Sequence, residues 1–508
     1  MIFLCLLSSS SRRRSLPNEW LCRTPTNREH SKRQVNAVPN IGHYIGDKIV
    51  GREETGAIAV VNPSTETPIA FVADGRDGHV DAAVSAARQA LPQWSSTPIK
   101  RRAAILGTMA DRLAARHTEI ASLITSELGA PVKTCVGGQV DMPIAILRDI
   151  ANRVQDFEFV RQIGNSAVFM EPVGIVGAIT PWNFPFYQTI AKIAPALAMG
   201  CTVALKPSEL TPLAIPILMD AADQAGLPAG VLNVVHGSGA VVGEAMVHHP
   251  GIDKISFTGS TDVGKQVAAR AALSVKRLAL ELGGKSAALV LSDAPLEQAV
   301  TATVASCMYN SGQTCSATTR LLIPRTLSDR ATEIASAAAA ELSVGDPTCP
   351  EVDLGPLVNA RQRSIVRNFI INGERDGARL VLGGALAPDG LDRGYYMMPT
   401  IFAKVSPSAT IARQEIFGPV LSIIEYSSEE EAVFIANDTI YGLAGTVWSG
   451  DPQRAVSIAR MLRAGRVDIN DAKFNISAPT GGFKQSGYGR ELGPFSLMQF
   501  AEQQSIQQ

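Results

Sequence analysis

Between Glu171 and Val290 the chain alternates short, continuous apolar runs, VGIVGAI, TVALK, VLNVV, ISFTG and AALVL, with helix-compatible stretches such as Pro216 to Gly226. A strand that is apolar throughout, and not at every second residue, must be covered on both faces. Strands of that kind separated by helices predict a parallel sheet with helices on either side. In such folds ligands, nucleotides above all, bind outside the carboxyl ends of the strands.

The flanking regions read differently. HYIGDKIVG and AIAVVNPSTETPIAFVA predict short strands, divided by glycine and by the NPSTE turn cluster. DAAVSAARQALPQW and IKRRAAILGTMADRLAARHTEIASLITSELG carry apolar residues at helical spacing and predict two amphipathic helices. After Ser292 the alternation returns less clearly, with helices near Glu297 to Tyr309 and Ser328 to Leu342 and strands at TRLLIP, ARLVLGG and VLSIIEY. A second α/β domain is the simplest account, and 508 residues at 46% hydrophobic content supply material for two or three domains.

Charge narrows the partners. Lys plus Arg number 46 against 47 Asp plus Glu, so no basic excess exists to hold nucleic acid or an anionic membrane, and a small molecule is the expected partner. The seven cysteines are odd in number and scattered, with no CxxC, and the seven histidines form no HExxH. This argues for a reducing, cytoplasmic setting and against a metal site. The first 34 residues stand apart: the apolar run Ile2 to Leu7 precedes its arginines, the wrong order for a secretory signal, and is too short to span a bilayer. They read either as a disordered or start-site extension ahead of Val35, or as an Arg- and Ser-rich organelle transit peptide.

Several short motifs carry residues suited to chemistry. GAITPWNFP turns from strand to helix through two prolines, so Asn183 either caps that helix or points its amide into the cleft. ALKPSE places Lys206 and Glu209 at the next strand end, as a solvated pair or as a hold on a ribose hydroxyl. FTGSTDVG, with Gly259 and Ser260, is a turn that can bring backbone N–H groups to a phosphate. LELGGK presents Glu281 before two glycines that permit close backbone approach, QEIFGP presents Glu415 and Phe417, and NSGQTCSATTR sets Cys315 among small polar residues. Cys307, in the greasier VASCMY, reads as a buried thiol.

In this order PWNFP, KPSE, FTGST, LELGGK, GQTC and EIFGP resemble the aldehyde dehydrogenase superfamily, over a stretch from about Ile41 to the C-terminus. The resemblance implies a Rossmann-like parallel-sheet NAD-binding domain (35–149 and 173–284), a second α/β catalytic domain (285–482) and a small β oligomerisation arm (150–172 and 483–508). It implies Cys315 as nucleophile, Asn183 as oxyanion donor, Glu281 as general base, and Lys192 and Glu491 as a proton relay. Cofactor contacts are implied at Trp182, Gly259 and Ser260 for the pyrophosphate, Lys206 and Glu209 for the adenosine ribose, and Glu415 and Phe417 for the nicotinamide end. Glu209 favours NAD over NADP, because a carboxylate repels a 2′-phosphate. A homodimer or homotetramer is implied through the arm.

The expected reaction is oxidation of an aldehyde to an acid through a Cys315 thioester hydrolysed by Glu281-activated water. A coenzyme A-acylating relative typically lacks an acid at the position of Glu281, and a non-catalytic protein of this fold is expected to have lost Cys315, Glu281 or Asn183. The resemblance also implies a substrate tunnel formed by Phe184, Tyr187, Gln188, Ala191, Thr314, Ser316 and Thr480. Thr480 stands in PTGG where the family commonly has PFGG, and VDIND departs from VWVN. A wide tunnel with no arginine evident to receive a second carboxylate suggests a bulky hydrophobic aldehyde, aromatic or terpenoid.

Overall fold

The computed structural model describes residues 39–52 and 56–508. The expectations for residues 1–34 lie outside the described residues. Four of the runs quoted first, VGIVGAI, TVALK, VLNVV and ISFTG, become the parallel strands β1 (Ile175–Ile179), β2 (Thr202–Lys206), β3 (Leu232–Val234) and β4 (Lys254–Thr258), joined by β5 (Arg277–Glu281); the fifth run, AALVL, falls in another sheet instead. These five strands lie in the order β5-β4-β1-β2-β3, and short antiparallel strands extend the sheet at both edges. Every residue of β1 to β4 is buried, which is why these strands read as unbroken apolar runs and not as alternating ones. Chain order reverses at β1, between β2 on one side and β4 on the other, so a crevice opens beyond the carboxyl ends of β1 and β4.

Glu281 ends β5, and only four residues separate it from a second sheet that starts with β6 (Ser286–Val290). Its further strands include β7 (Thr318–Pro324), β8 (Val420–Tyr426), β9 (Ala444–Trp448) and β10 (Arg466–Ile469). The central order is β8-β7-β6-β9-β10, all parallel. Because so short a link joins a strand end to a strand start, the amino edge of the second sheet faces the carboxyl edge of the first.

Two sequence expectations need correction. The long second amphipathic stretch is two helices, Ile99–Ala115 and His117–Leu128, broken at Arg116 where φ is −114° and ψ 17°. The expected arm span 483–508 also divides: Gly487–Tyr488 pairs antiparallel with β5 and closes the first sheet, while Ala501–Gln507 alone joins Val160–Ile163 and Ser166–Pro172 in a three-stranded sheet. Two residues of strand are too few to leave a periodic signal. Among the described residues no helix is long and apolar enough to cross a membrane.

Candidate active site

The two glycines after Glu281 let the halves of the site meet. A Cβ on Gly283 would lie 2.2 Å from a Glu415 carboxylate oxygen, and one on Gly284 would lie 2.5 Å from the Cys315 carbonyl oxygen. Glu415 accepts a 3.0 Å hydrogen bond from the Gly284 N–H, which ties the β5–β6 link to the loop before β8. From the other direction, the helix Leu296–Met308 ends in three successive left-handed residues, Asn310 (φ 52°), Ser311 (φ 57°) and Gly312 (φ 76°). Left-handed backbone at two non-glycine residues in a row is costly and persists only where surrounding contacts enforce it. This tight turn delivers Cys315 to the mouth of the crevice, just before β7.

Cys315 borders a cleft of about 900 Å³ whose wall also includes Glu281, Glu491, Phe184, Tyr187, Gln188, Thr314, Ser316 and Thr480. Ala191, one turn beyond Tyr187 on the same face of the helix Pro185–Met199, is covered and does not itself reach the cleft wall, correcting its placement in the tunnel. The wall further includes Tyr309, Phe474, Met142, Gly138 and Arg466, none of which the motifs marked. Arg466 overturns the expectation of a tunnel without an arginine: it opens β10, and the sequence VDIND gave no sign that this end of the strand faces Cys315. Gly138 lies in the π-helical turn Cys135–Asp141, where a Cβ would come 2.0 Å from the Tyr309 hydroxyl. Such turns recur at functional sites.

Asn183 lies behind this wall, 4% exposed. Its backbone carbonyl is clamped by the Gln139 and Asn310 amides, at 2.9 and 3.0 Å. Its side-chain amide donates to the Gln313 carbonyl at 3.1 Å, two residues before Cys315. That donation uses one of the amide's two N–H groups. Glu491 is fixed by a reciprocal pair of backbone hydrogen bonds with Thr480, each 2.9 Å, and its carboxylate holds the Lys192 ammonium at 2.7 Å in an enclosed ion pair.

Burial raises the Glu281 carboxyl well above the usual carboxylate range, and neighbouring Glu491 raises it further, while Lys192 and Arg490 pull it down. The Cys315 thiol is pushed up to about 12 by burial, then by Glu415 and Glu281; Arg466 and the Ser316 backbone N–H act the other way. The protein's own groups therefore keep this cysteine as a thiol.

The residues at the crevice form a second group. Lys206, buried at the end of β2, donates to Glu209 at 2.9 Å and to the Pro207 carbonyl at 3.1 Å. Ser260 caps the helix Thr261–Ala271, accepting from the Val263 N–H, and directly follows Gly259. Trp182 and Phe417 meet edge to face, centroids 5.3 Å apart, with Phe417 held at φ 60°. The hydroxyls of Thr180 and Thr258, at the carboxyl ends of β1 and β4, are buried without hydrogen-bond partners. A helix start, unpartnered hydroxyls and a carboxylate at this switch point fit a dinucleotide.

A parallel sheet with such a cradle, beside a cleft that holds a cysteine and a carboxylic acid, fits a cofactor-using enzyme. The profile of the Aldehyde dehydrogenase family matches residues 49–506, and the chain belongs to that family of oxidoreductases. It is 43% identical over 464 residues to a 3-succinoylsemialdehyde-pyridine dehydrogenase of a Pseudomonas species, covering 91% of this chain and 97% of that one. Among solved structures it is similar to aldehyde dehydrogenase C of Pseudomonas syringae, a cysteine-to-alanine variant complexed with NAD+ and octanal, with TM-score 0.91, 42% identity, and 94% and 98% of the two chains covered. A Mycobacterium tuberculosis aldehyde dehydrogenase complexed with NAD+ gives TM-score 0.90 and 39% identity, with 93% and 99% covered.

Proposed function

We propose that this chain oxidises an aldehyde to a carboxylic acid with NAD, through an acyl group carried on Cys315. The observation that carries the reading is the meeting of Cys315 and Glu281 on one cleft wall, with Asn183 tied to the Cys315 loop behind it. The Cys315 thiol gives up its proton to solvent as its sulfur adds to the aldehyde carbon, and the resulting oxyanion is held by the Asn183 amide and the Cys315 backbone N–H. One such donor contributes roughly 3 to 4 kcal/mol in the transition state. When bound, the dinucleotide supplies the hydride acceptor and a positive charge beside the thiol. Glu281 then takes a proton from water, which attacks the Cys315 thioester and releases the acid. Lys192 and Glu491 offer that proton a way off Glu281.

Trp182, Lys206, Glu209, Gly259, Ser260, Glu415 and Phe417 would hold the cofactor. Glu209 supports NAD over NADP, since its carboxylate bonds a 2′-hydroxyl and repels a 2′-phosphate. The relatives complexed with NAD+ support the same choice. The substrate is a bulky, largely hydrophobic aldehyde: Phe184, Tyr187, Tyr309 and Phe474 surround the approach to Cys315. The Pseudomonas relative's name, which couples a semialdehyde to a pyridine, and the octanal in the Pseudomonas syringae structure support that class. The arm supports a homodimer or homotetramer, because Val160 and Ile163 on its edge strand are 51% and 58% exposed.

The test is NADH formation from NAD and an aromatic aldehyde, with the product identified. The reading expects free acid whether or not coenzyme A is present, and no NADH from Cys315→Ala. Acyl-coenzyme A as the product would contradict it.

A further inference from the structure

We propose that Arg466 is a specificity-determining residue, receiving a second oxygen of the substrate, ketone or carboxylate, remote from the aldehyde carbon. The inference rests on the aldehyde-oxidising function above and names a feature of its substrate.

Arg466 is anchored by strand pairing: it lies opposite Ala444 of β9, another wall residue, so its backbone is fixed at the sheet edge. Its side chain borders the cleft of Cys315 and also an adjoining cavity of about 690 Å³. Thr314, Ser316 and Phe474 border both as well, so Arg466 stands where the two spaces meet.

The guanidinium lies 4.9 Å from the Phe474 ring centroid, and its Nε is 3.3 Å from an Asp468 carboxylate oxygen. The ring presents a flat stacking surface and Asp468 balances the charge. Asp468 faces Nε in an ion pair that falls short of a hydrogen bond, and among the described residues no hydrogen bond engages the guanidinium, so its terminal N–H groups are not committed to the protein. A guanidinium has five N–H donors in a rigid planar fork, suited to oxygen acceptors. An arginine so held, charge-balanced and unbonded beside the nucleophile, is arranged for an acceptor that arrives with the ligand.

The rest of the wall offers no competing cation. The cleft is lined by no lysine or histidine, and its acids are Glu281 and Glu491. A substrate oxygen placed away from the oxyanion site would otherwise meet carbon, carboxylate or the neutral donors of Tyr187, Gln188, Thr314, Ser316 and Thr480, so Arg466 is the charged donor of this wall. Acceptors of both kinds suit the fork; since Asp468 already balances Arg466, a ketone binds without bringing a second negative charge.

The experiment compares kcat/KM within two matched pairs: 4-oxo-4-phenylbutanal against 4-phenylbutanal for a ketone, and 5-oxopentanoate against hexanal for a carboxylate. A hydrogen bond to a charged donor corresponds to roughly 10- to 100-fold, so at least one pair is expected to show a ratio of about tenfold or more in the wild type. Arg466→Met should bring that ratio to about one, and Arg466→Lys should keep part of it. Asp468→Asn, which frees the guanidinium while retaining it, should keep or raise it. Taking the ratio removes any general effect of Arg466 on the thiol. Ratios near one for both pairs in the wild type, or a ratio that survives Arg466→Met, would overturn the inference while leaving aldehyde oxidation standing. Absence of NADH with all four aldehydes would instead overturn the proposed function itself.

Discussion

Cys307 and Cys315 lie eight residues apart, and burial pushes both thiols up to about 12. Their surroundings differ completely. Cys307 is fully enclosed on a helix, packed among Ala288, Val304, Leu321 and Leu421, and its charged neighbour is Lys285. Cys315 stands after the left-handed turn at the edge of an open cleft, with Glu415, Glu281 and Arg466 acting on it. Acidity does not tell the two apart. Access, and the presence of groups able to act on what the sulfur binds, do.

The strongest way to break this comparison is to exchange the roles. Cys315→Ala should lower turnover by at least about 10⁴-fold, the scale seen when a nucleophile is removed. Cys307→Ala should keep its turnover and lose on the order of 1 kcal/mol of stability, the scale of a small core truncation. Steady-state NADH formation and a urea melt of both variants check this; equal losses of turnover would dissolve the distinction.

Asn183→Ala comes next in size. It removes one oxyanion donor from behind the Cys315 loop, so kcat should fall about 10²- to 10³-fold. A KM change without a kcat change would place Asn183 in ground-state binding only.

The smallest expected effect sharpens the electrostatics. Iodoacetamide modification of ligand-free Cys315 should accelerate as pH rises toward its high pKa, because only the thiolate reacts. Glu415 is the larger of the two acidic influences on the thiol, so Glu415→Gln should shift the profile to lower pH more than Glu281→Gln does. Arg466→Met should shift it upward. The reverse order of the two glutamine variants would show that the local charges are misassigned.

Much of this was legible in the sequence, for identifiable reasons. β1 to β4 announced themselves because doubly covered strands must be apolar at every position, and Cys315, Glu281, Glu491 and Glu415 lie in short motifs at strand or loop ends. What stayed hidden depends on distant packing. Gln139 and Asn310 act on the Asn183 carbonyl from separate turns, and nothing local to QVD or YNS says so. The break at Arg116 interrupts no apolar period, and Ala191, on the same helix face as Tyr187, is covered and leaves the cleft wall to its bulkier neighbours. Arg466 was missed because its importance comes from the register of β10 against β9.

The most direct test of the central claim is to trap the acyl group. Glu281→Gln should oxidise aldehyde once and then stall, because it lacks the base that hydrolyses the thioester. The enzyme is incubated with NAD and aldehyde, digested briefly with trypsin at neutral pH without thiols or amines that would cleave a thioester, and fragmented in a mass spectrometer. Both cysteines fall on the peptide Ser286–Arg320, so fragmentation is needed to place the modification. The account predicts one acyl group per chain on Cys315; an acyl group on Cys307, or NADH formed with no acyl group on either cysteine, would contradict it.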